Sequence, residues 1–298
     1  MASALEQAMA RAASLVESAI DRLLVPTVRS EAPLWDAMRY GSLAGGKRLR
    51  PFLVLESARL FAVAEEHALR TGLAVELIHC YSLIHDDLPA MDNSDLRRGR
   101  PTVHKKFNEA VAVLAGDGLL TLAFEVLAHP ATHPDPAVRV ALVAALAAAA
   151  GPAGTGMVGG QMIDLVAETT RFDLAETTRL QEGKTGALIS FSSEAGAILA
   201  GAGASERGAL RAYARDIGLA FQIADDLLDV EGSAEVVGKP VGADAAAGKA
   251  TFVSLLGVDG ARREAHLLAD RAAASLDIFG ARADTLKAVA RFIVTRNA

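Results

Sequence analysis

The chain has 298 residues and a net charge of −6, from 30 Lys plus Arg against 36 Asp plus Glu, and 51% of its residues are hydrophobic. This hydrophobic content excludes a disordered chain, and the acidic balance argues against nucleic acid as the main partner, because phosphate-backbone binding needs a broad basic face. The apolar residues are mostly Ala and Leu and only 5% of residues are aromatic, which favours helices over sheets.

The N-terminal 24 residues mix charged and apolar side chains in an amphipathic pattern, without the continuous apolar core of a signal peptide. We therefore expect them to form the first helix. The single cysteine, Cys80, excludes an intramolecular disulfide and a cysteine-based zinc cluster. A reducing, cytoplasmic location is expected.

Helical periodicity continues along the rest of the chain. Apolar residues at spacings of three and four predict helices over residues 5–24, 70–88, 109–127, 137–150, 173–199, 205–230 and 262–279. Prolines and glycines punctuate the chain, among them Pro26, Pro33 and Pro51, and no segment alternates with period two long enough to predict a strand. The expectation is one all-α domain, residues 1–298, of roughly ten helices.

Residues 140–163 are uncharged and resemble a membrane span by length. Much of the segment is Ala, however, and the interruptions at Gly151, Pro152, Gly159 and Gly160 would break such a helix. A buried helix with a tight packing corner is the better interpretation, so no membrane span is expected.

The first acidic cluster begins with Asp86 and Asp87 at the end of an apolar helix. Pro89 should break that helix, and the break can fold Asp92 back towards Asp86. Carboxylate ligands of this kind suit Mg²⁺, which completes its shell with water and substrate phosphates. A solvated helix end is the alternative for one such cluster alone.

The second acidic cluster contains Asp225, Asp226 and Asp229, again after an apolar stretch. Asp225 and Asp229 share one helical face, one turn apart, and if Gly232 caps the helix they also lie at the negative end of its dipole. This arrangement is unfavourable without a cation, and two such clusters in one chain favour a metal site over two solvated helix ends.

Basic residues gather in two further segments. Residues 45–51, Gly-Gly-Lys-Arg-Leu-Arg-Pro, place three cations beside two glycines, so that backbone and side chains can approach an anion together. Residues 97–101, Arg-Arg-Gly-Arg-Pro, closely follow the first acidic cluster, which predicts a site where metal and arginine hold the same phosphate oxygens. The sum of these features predicts a polyanionic substrate.

The order of these motifs resembles that of the polyprenyl (isoprenyl) diphosphate synthase family, closest to its short-chain bacterial members that form farnesyl diphosphate. The matching segments are residues 45–51, 86–98, 159–161, 184–187, 221–229 and 238–239. The resemblance implies a single all-helical domain around a large central cavity, the isoprenoid synthase fold, and a homodimer. It also implies (2E,6E)-farnesyl diphosphate formation from isopentenyl diphosphate and dimethylallyl or geranyl diphosphate.

The resemblance further implies a role for each motif residue. Three Mg²⁺ ions, for which Mn²⁺ can substitute, would be held on the allylic diphosphate by Asp86, Asp87, Asp92, Asp225, Asp226 and Asp229. The same diphosphate would be bound by Arg97, Lys184, Lys239 and Lys249. Isopentenyl diphosphate would be bound by Gly46, Lys47, Arg50, His79 and Arg98. The carbocation formed on ionisation would be stabilised by Thr185, the backbone carbonyl of Lys184 and Gln222.

Helical spacing also relates His79 and Tyr81 to Asp86. His79 precedes Asp86 by seven residues, so both face one side of a helix about 10 Å apart. Tyr81 precedes Asp86 by five residues, about 7.5 Å down the helix, where its ring would form the floor of a cavity for the growing tail. In the family this aromatic residue, together with the two-residue expansion that contains Pro89 and Ala90, goes with a C15 product. The implied chain-length positions are Tyr81 and Ser82.

The sequence leaves several alternative functions open. A geranylgeranyl diphosphate synthase, with a C20 product, is the main rival, since cavity depth also depends on residues that the sequence does not place. A non-catalytic partner subunit would typically lack the aspartates that this chain retains. A terpene cyclase shares the metal-binding aspartates but would leave residues 45–50 and His79 without a substrate. Ser94 stands where many relatives carry another Asp, outside the implied ligand set.

Overall fold

The computed structural model of the chain describes residues 3–26, 28–153, 156–231 and 250–295. This described part is almost entirely helical, which confirms the all-α prediction. Its α-helices are α1 (Ala4–Leu23), α2 (Ala32–Ser42), α3 (Leu49–Leu60), α4 (Glu65–Asp86), α5 (Val103–Lys106), α6 (Glu109–Ala128), α7 (Pro136–Ala150), α8 (Met157–Ala167), α9 (Leu174–Gln181), α10 (Ala187–Leu199), α11 (Ala204–Glu231), α12 (Phe252–Ser275) and α13 (Asp284–Thr295). Short 3₁₀ segments at Arg29–Glu31 and Asp277–Ala283 and a π-helix at Glu182–Gly186 complete the helical elements.

A small antiparallel hairpin interrupts the helices. Strand β1 (Leu96–Arg97) pairs with β2 (Arg100–Pro101), with Arg97 opposite Arg100. The two turn residues, Arg98 and Gly99, both have positive φ, 53° and 72°, which is the backbone of a type I′ turn. The sequence pattern did not predict these strands because two residues are too few to show a period of two.

The described helices form two compact units. The first comprises residues 1–55 and 63–143, and the second comprises residues 56–62 and 144–298. The prediction of one domain over the whole chain is not tested by this division and stays a prediction.

In the first unit, α4 is the central helix. It is buried on nearly every side and packs against α1, α2 and α6. Apolar residues occur around its whole circumference, and every residue from Thr71 to Ile78 is buried. This helix carries His79, Tyr81 and Asp86, so the packing of the first unit fixes their positions.

In the second unit, α10 is the fully buried helix and packs against α11, which in turn packs against α12. The buried Tyr213 hydroxyl donates to the Leu286 carbonyl at 2.8 Å and ties α11 to α13. Gly196 packs so closely on residues 57–58 that an added Cβ would lie 2.2 Å from the Ala58 nitrogen. These contacts hold α11, which carries the second acidic cluster.

Most of the predicted helices are present with shifted ends, and the predicted helix 173–199 is divided into α9, the π-helix and α10. The helices outside the predicted ranges are α2, α3, α5, α8 and α13. Pro33 and Pro51 were interpreted as breaks between elements, but each lies in the first turn of a helix, α2 and α3 respectively. Proline is tolerated there because the first helical N–H groups have no intrahelical partner. The break expected near Gly151 separates α7 from α8.

Within the described residues, α6 is the one helix that is long and apolar enough to cross a membrane by length and composition. Residues 140–163, which resemble a span by length, are divided between α7 and α8. In the first unit, α6 packs against α2, α4 and α5. Of its most apolar stretch, 39% is buried by this packing.

Candidate active site

Two glycines shape the basic segment between α2 and α3. Gly45 and Gly46 have φ of 79° and 128°, a region that favours glycine. The Arg98 guanidinium donates to the Gly45 carbonyl, and a Cβ at Gly46 would lie 2.6 Å from an Arg98 nitrogen. The missing side chain therefore makes room for Arg98, and the structure brings the predicted residues Gly46 and Arg98 into contact. Lys47 follows directly and is exposed.

His79 lies half-buried on α4 within reach of four arginines. Burial, and after it the charges of Arg50, Arg98, Arg48 and Arg97, hold the pKa of His79 well below its usual range. The imidazole is therefore neutral at neutral pH, amid concentrated positive charge. Burial also lowers the pKa of Arg50, whose Nε is buried and has no hydrogen-bond partner. Such a set of cations around a neutral ring is suited to a polyanion.

The first acidic cluster folds back on itself as the sequence predicts. Helix α4 ends at Asp86, and the Asp92 N–H donates to the Asp86 carbonyl at 2.9 Å. The Asn93 and Ser94 N–H groups donate to the carbonyls of Leu88 and Asp87. The reversal after Pro89 thus brings Asp92 next to Asp86, although Asp92 is exposed and Asp86 is half-buried.

Asp87 differs from its two neighbours because its carboxylate is buried and paired. Arg97 Nε donates to both Oδ1 and Oδ2 at 2.9 Å, and Arg97 NH2 lies 2.7 Å from Oδ1. The side chain of Asp87 is only 4% exposed. Burial tends to lower the pKa of Arg97, but the hydrogen bond and charge of Asp87 outweigh it and the net shift is upward. The structure therefore pairs Asp87 with Arg97, and its predicted role as a metal ligand stays a prediction.

The predicted chain-length residues lie one turn before the acidic cluster. Tyr81 is buried, and its ring meets His85 edge-on with centroids 5.7 Å apart. His85 in turn contacts α6, where a Cβ at Gly116 would lie 2.0 Å from its Nε2. The Ser82 hydroxyl donates to the His79 carbonyl at 2.8 Å. Tyr81 thus points into the interior, whereas Ser82 is turned back along its own helix.

The second acidic cluster lies near the C-terminal end of α11 in the second unit. Asp225 is exposed and Asp229 is half-buried, one turn further along. The Asp226 carboxylate is buried and accepts a 2.7 Å hydrogen bond from the backbone N–H of Phe252. Asp226 therefore helps to fix the start of α12, while Asp225 and Asp229 present their carboxylates from one face of the helix.

Lys184 and Thr185 lie in the π-helix between α9 and α10. The Lys184 Nζ is 2.9 Å from Oδ2 of Asp164, a buried carboxylate on α8. A Cβ at Gly160 would lie 2.1 Å from the Lys184 nitrogen, so α8 can approach only because residue 160 is glycine. A π-helix is rare and often marks a functional site, because its wider turn changes which carbonyls are hydrogen-bonded. Gln222 is half-buried on α11.

The remaining predicted substrate ligands, Lys239 and Lys249, lie outside the described residues, as does the predicted helix cap Gly232. Their predicted roles stay predictions.

The donor set fits Mg²⁺ without forming a closed protein cage. Among the described residues, no group of three or more His, Cys, Asp and Glu side chains is arranged to hold a metal ion. Mg²⁺ is typically bound by one or two carboxylates and takes its other ligands from water and substrate phosphates. Asp86 with Asp92 in the first unit, and Asp225 with Asp229 in the second, each meet that requirement.

A family model described as polyprenyl synthetase matches residues 31–278. The chain belongs to this family, and it is a prenyltransferase. Among curated proteins, the farnesyl diphosphate synthase of Escherichia coli (strain K12) is 46% identical over 285 residues, 94% of each chain. The geranylgeranyl diphosphate synthase of Cyanophora paradoxa is 43% identical over 265 residues, 89% of this chain and 88% of that one. Among solved structures, an FPP/GFPP synthase from Zymomonas mobilis has a TM-score of 0.89 at 52% identity, covering 98% of this chain and 99% of that one.

Sequence reasoning missed the carboxylates that hold the cations in place. Glu76 pairs with Arg48 at 2.7 Å, as Asp164 pairs with Lys184, and both carboxylates are buried. A signal for them exists, since each is the one charged residue of an otherwise apolar helical stretch, at 73–78 and at 162–167. A lone acidic residue in such a stretch needs a buried partner.

Proposed function

We propose that the chain condenses isopentenyl diphosphate head-to-tail with dimethylallyl or geranyl diphosphate and releases (2E,6E)-farnesyl diphosphate. The observation that carries the proposal is a group of cations in the first unit. Arg98 donates to the Gly45 carbonyl, Arg97 is held by Asp87, and the buried Nε of Arg50 has no hydrogen-bond partner. This concentration of positive charge, beside the carboxylate turn at Asp86, matches two diphosphates and the metal that accompanies them. The relatives are named as synthases, which favours an enzyme over a non-catalytic partner subunit.

The isopentenyl diphosphate half-site is proposed to lie in the first unit. Gly46, Lys47, Arg50, His79 and Arg98 are its residues. The unpartnered Nε of Arg50 supports this assignment, because a buried donor without a protein acceptor gains a hydrogen bond from a diphosphate oxygen. Neutral His79 donates one further hydrogen bond without adding to the repulsion among the arginines.

Four aspartates are proposed as Mg²⁺ ligands: Asp86 and Asp92 in the first unit, Asp225 and Asp229 in the second. Asp87 and Asp226 are proposed to act through Arg97 and through the start of α12. Bound Mg²⁺ neutralises the allylic diphosphate and makes it a better leaving group. A count of three ions is the expectation from the family resemblance.

The remaining cations are proposed to bind the allylic diphosphate directly. The residues assigned this role on the resemblance are Arg97, Lys184, Lys239 and Lys249. Each of the two described cations is held in place by a buried carboxylate, Asp87 or Asp164. Fixed donors of this kind stabilise the negative charge that develops as the allylic C–O bond breaks.

The condensation then proceeds by ionisation, attack and elimination. The allylic C–O bond breaks, the double bond of isopentenyl diphosphate attacks the resulting carbocation, and a proton passes to the released pyrophosphate. The Thr185 hydroxyl, the Lys184 carbonyl and the Gln222 amide oxygen are proposed to stabilise the cation. Apolar side chains around it exclude water, which would otherwise quench the carbocation.

A C15 product is proposed because Tyr81 is buried on the inner side of α4. A bulky ring at that point limits the length of a growing tail. A C20 product is the second candidate, because one of the relatives is named geranylgeranyl diphosphate synthase.

A homodimer in the cytoplasm is proposed for the assembled enzyme. On α6, Val113 and Leu114 are 41% and 55% exposed, on a face that also carries the exposed Asp117. A second copy covering this face would bury both side chains. The near absence of cysteine supports the reducing compartment.

The proposed function is tested by incubating the full chain with Mg²⁺, labelled isopentenyl diphosphate and one allylic primer at a time. Chromatography of the products should give C15 from both dimethylallyl and geranyl diphosphate, and little product from farnesyl diphosphate. Efficient extension of farnesyl diphosphate would favour the C20 alternative, and no labelled prenyl product from any primer would contradict the proposal.

A further inference from the structure

Arg48 carries a buried guanidinium that is paired with a buried carboxylate. The Arg48 side chain is 2% exposed, and that of its partner Glu76 is 3% exposed. NH1 of Arg48 donates to Oε1 of Glu76 at 2.7 Å, and NH2 donates to the Ser42 carbonyl at 2.6 Å. NH2 also lies 3.4 Å from the Glu17 carboxylate on α1. A guanidinium so enclosed cannot itself bind a diphosphate, so Arg48 has a different role from Lys47 and Arg50.

The backbone of Arg48 indicates what that role is. Its φ is 46°, in the left-handed region that residues other than glycine rarely adopt. The unfavourable conformation persists because the buried side-chain contacts determine it. The Arg48 carbonyl accepts the first hydrogen bond of α3, from the Phe52 N–H at 3.1 Å. Arg48 therefore fixes both the path of the loop that carries Lys47 and the start of the helix that carries Arg50.

Glu76 connects this loop to the helix of His79. It lies on α4 three residues before His79, about one helical turn. Arg48 also contributes to the charge that lowers the pKa of His79. The Arg48–Glu76 pair is thus a direct link between the two sides of the proposed isopentenyl diphosphate half-site.

We propose that Arg48 is a positioning residue: through its buried ion pair with Glu76 it holds Lys47 and Arg50 at the correct distance from His79 for isopentenyl diphosphate. This inference rests on the proposed function. Loss of the Arg48–Glu76 pair should therefore weaken the binding of isopentenyl diphosphate and not that of the allylic diphosphate. The residues assigned to the allylic diphosphate have their own carboxylate partners, Asp87 and Asp164.

The test replaces both members of the pair, since removing one alone would leave an uncompensated buried charge and could unfold the chain. In the double variant Arg48→Met/Glu76→Leu, apolar side chains of similar volume fill the site, and such replacements often preserve stability. The matched control is Arg271→Met/Asp216→Leu in the second unit, where Arg271 donates to both oxygens of a buried Asp216. The midpoint of thermal unfolding of both variants establishes that they fold.

We expect the Arg48→Met/Glu76→Leu variant to raise the KM for isopentenyl diphosphate and its Kd, measured by calorimetry, by about tenfold or more, because small displacements of binding groups have effects of that order. The KM for geranyl diphosphate should change less than about threefold, since its proposed ligands have separate partners. The control variant should leave both KM values unchanged. Arg48→Lys, which keeps the charge but loses the forked geometry, should show a smaller rise in the same KM.

Two outcomes overturn the inference. One is a folded Arg48→Met/Glu76→Leu variant with an unchanged KM and Kd for isopentenyl diphosphate. The other is an equal rise in both KM values, which a general loss of structure would produce. A wild-type chain that binds isopentenyl diphosphate without condensing it would contradict the proposed function alone, and the Kd comparison would still decide the role of Arg48.

Discussion

Arg97 donates to both carboxylate oxygens of Asp87 at 2.9 Å, and this pair separates Asp87 from the two aspartates on either side of it. The Asp87 carboxylate is buried against a guanidinium, whereas Asp86 is half-buried and Asp92 is exposed. Asp87 therefore holds the Arg97 side chain in place.

The first prediction concerns Asp87. Asp87→Asn keeps the size of the side chain but removes the charge that fixes Arg97, so the KM for geranyl diphosphate should rise by about tenfold. The Mg²⁺ concentration for half-maximal rate should stay near that of the wild type, while Asp86→Asn should increase it strongly. If both variants shift the Mg²⁺ requirement equally, Asp87 is a metal ligand after all.

The second prediction concerns one aspartate from each unit. Asp86→Ala and Asp225→Ala should each lower kcat by several orders of magnitude at saturating Mg²⁺, because each removes a proposed metal ligand. Asp259→Ala is the control, since that carboxylate is exposed and only loosely paired with Arg262 at 3.4 Å. Steady-state rates measure the effect, and near-normal rates in both site variants would remove the metal-site assignment.

The third prediction concerns Tyr81. Tyr81→Ala removes a buried ring and leaves space beside His85, so the main product should shift from C15 to C20 or longer. Tyr81→Phe keeps the ring and should leave the product length unchanged. Chromatography of the prenyl products decides the matter, and an unaltered distribution in the alanine variant would show that Tyr81 does not limit the tail.

The fourth prediction concerns the pH dependence of stability. The pKa of His79 in the folded chain lies well below its usual value of 6.5, so below about pH 6.5 the unfolded state binds a proton that the folded state does not. Stability is therefore lost as the pH falls. Relative to His79→Gln, the wild type should lose about 1 kcal/mol of unfolding free energy between pH 7.5 and pH 5.5.

Urea unfolding of the two proteins at both pH values measures this difference. Equal losses in wild type and His79→Gln would mean that His79 takes up its proton in the folded chain, which contradicts a neutral imidazole among the arginines.

The fifth prediction concerns the close approach of α8 to the π-helix. Gly160→Ala places a methyl group 2.1 Å from the Lys184 nitrogen and should destabilise the chain by about 1–3 kcal/mol. Gly208→Ala is the matched control on α11, where the added Cβ meets nothing within 4 Å and the helix should become slightly more stable. If the two variants unfold at the same midpoint, Gly160 is not packed tightly against the Lys184 backbone.

The sequence predicted the all-α class and the reversal that returns Asp92 to Asp86, because helical periodicity and the position of Pro89 are local signals. It also placed His79 and Asp86 on one helix. The starts of α2 and α3 were misjudged because proline marks either a break or a first helical turn, and the neighbouring residues do not decide which.

Local sequence signals do not predict the pairing of Asp87 with Arg97 or that of Glu76 with Arg48. Arg97 lies on strand β1, ten residues after Asp87, so the path of the intervening turn brings that pair together. Glu76 and Arg48 are 28 residues apart and meet only through the tertiary fold. In a sequence, Asp87 is indistinguishable from Asp86, since both follow the same apolar helix. What separates them is burial, since the Asp87 side chain is 4% exposed against Arg97 whereas Asp86 is half-buried.

In the proposed condensation, departure of the diphosphate is coupled to transfer to isopentenyl diphosphate. The most direct measurement counts pyrophosphate released against isopentenyl units incorporated, with the full chain, Mg²⁺ and geranyl diphosphate. One pyrophosphate for each unit incorporated, with a C15 product, is the predicted result. Release of pyrophosphate from geranyl diphosphate without incorporation would contradict it and would indicate a cyclase or a hydrolase.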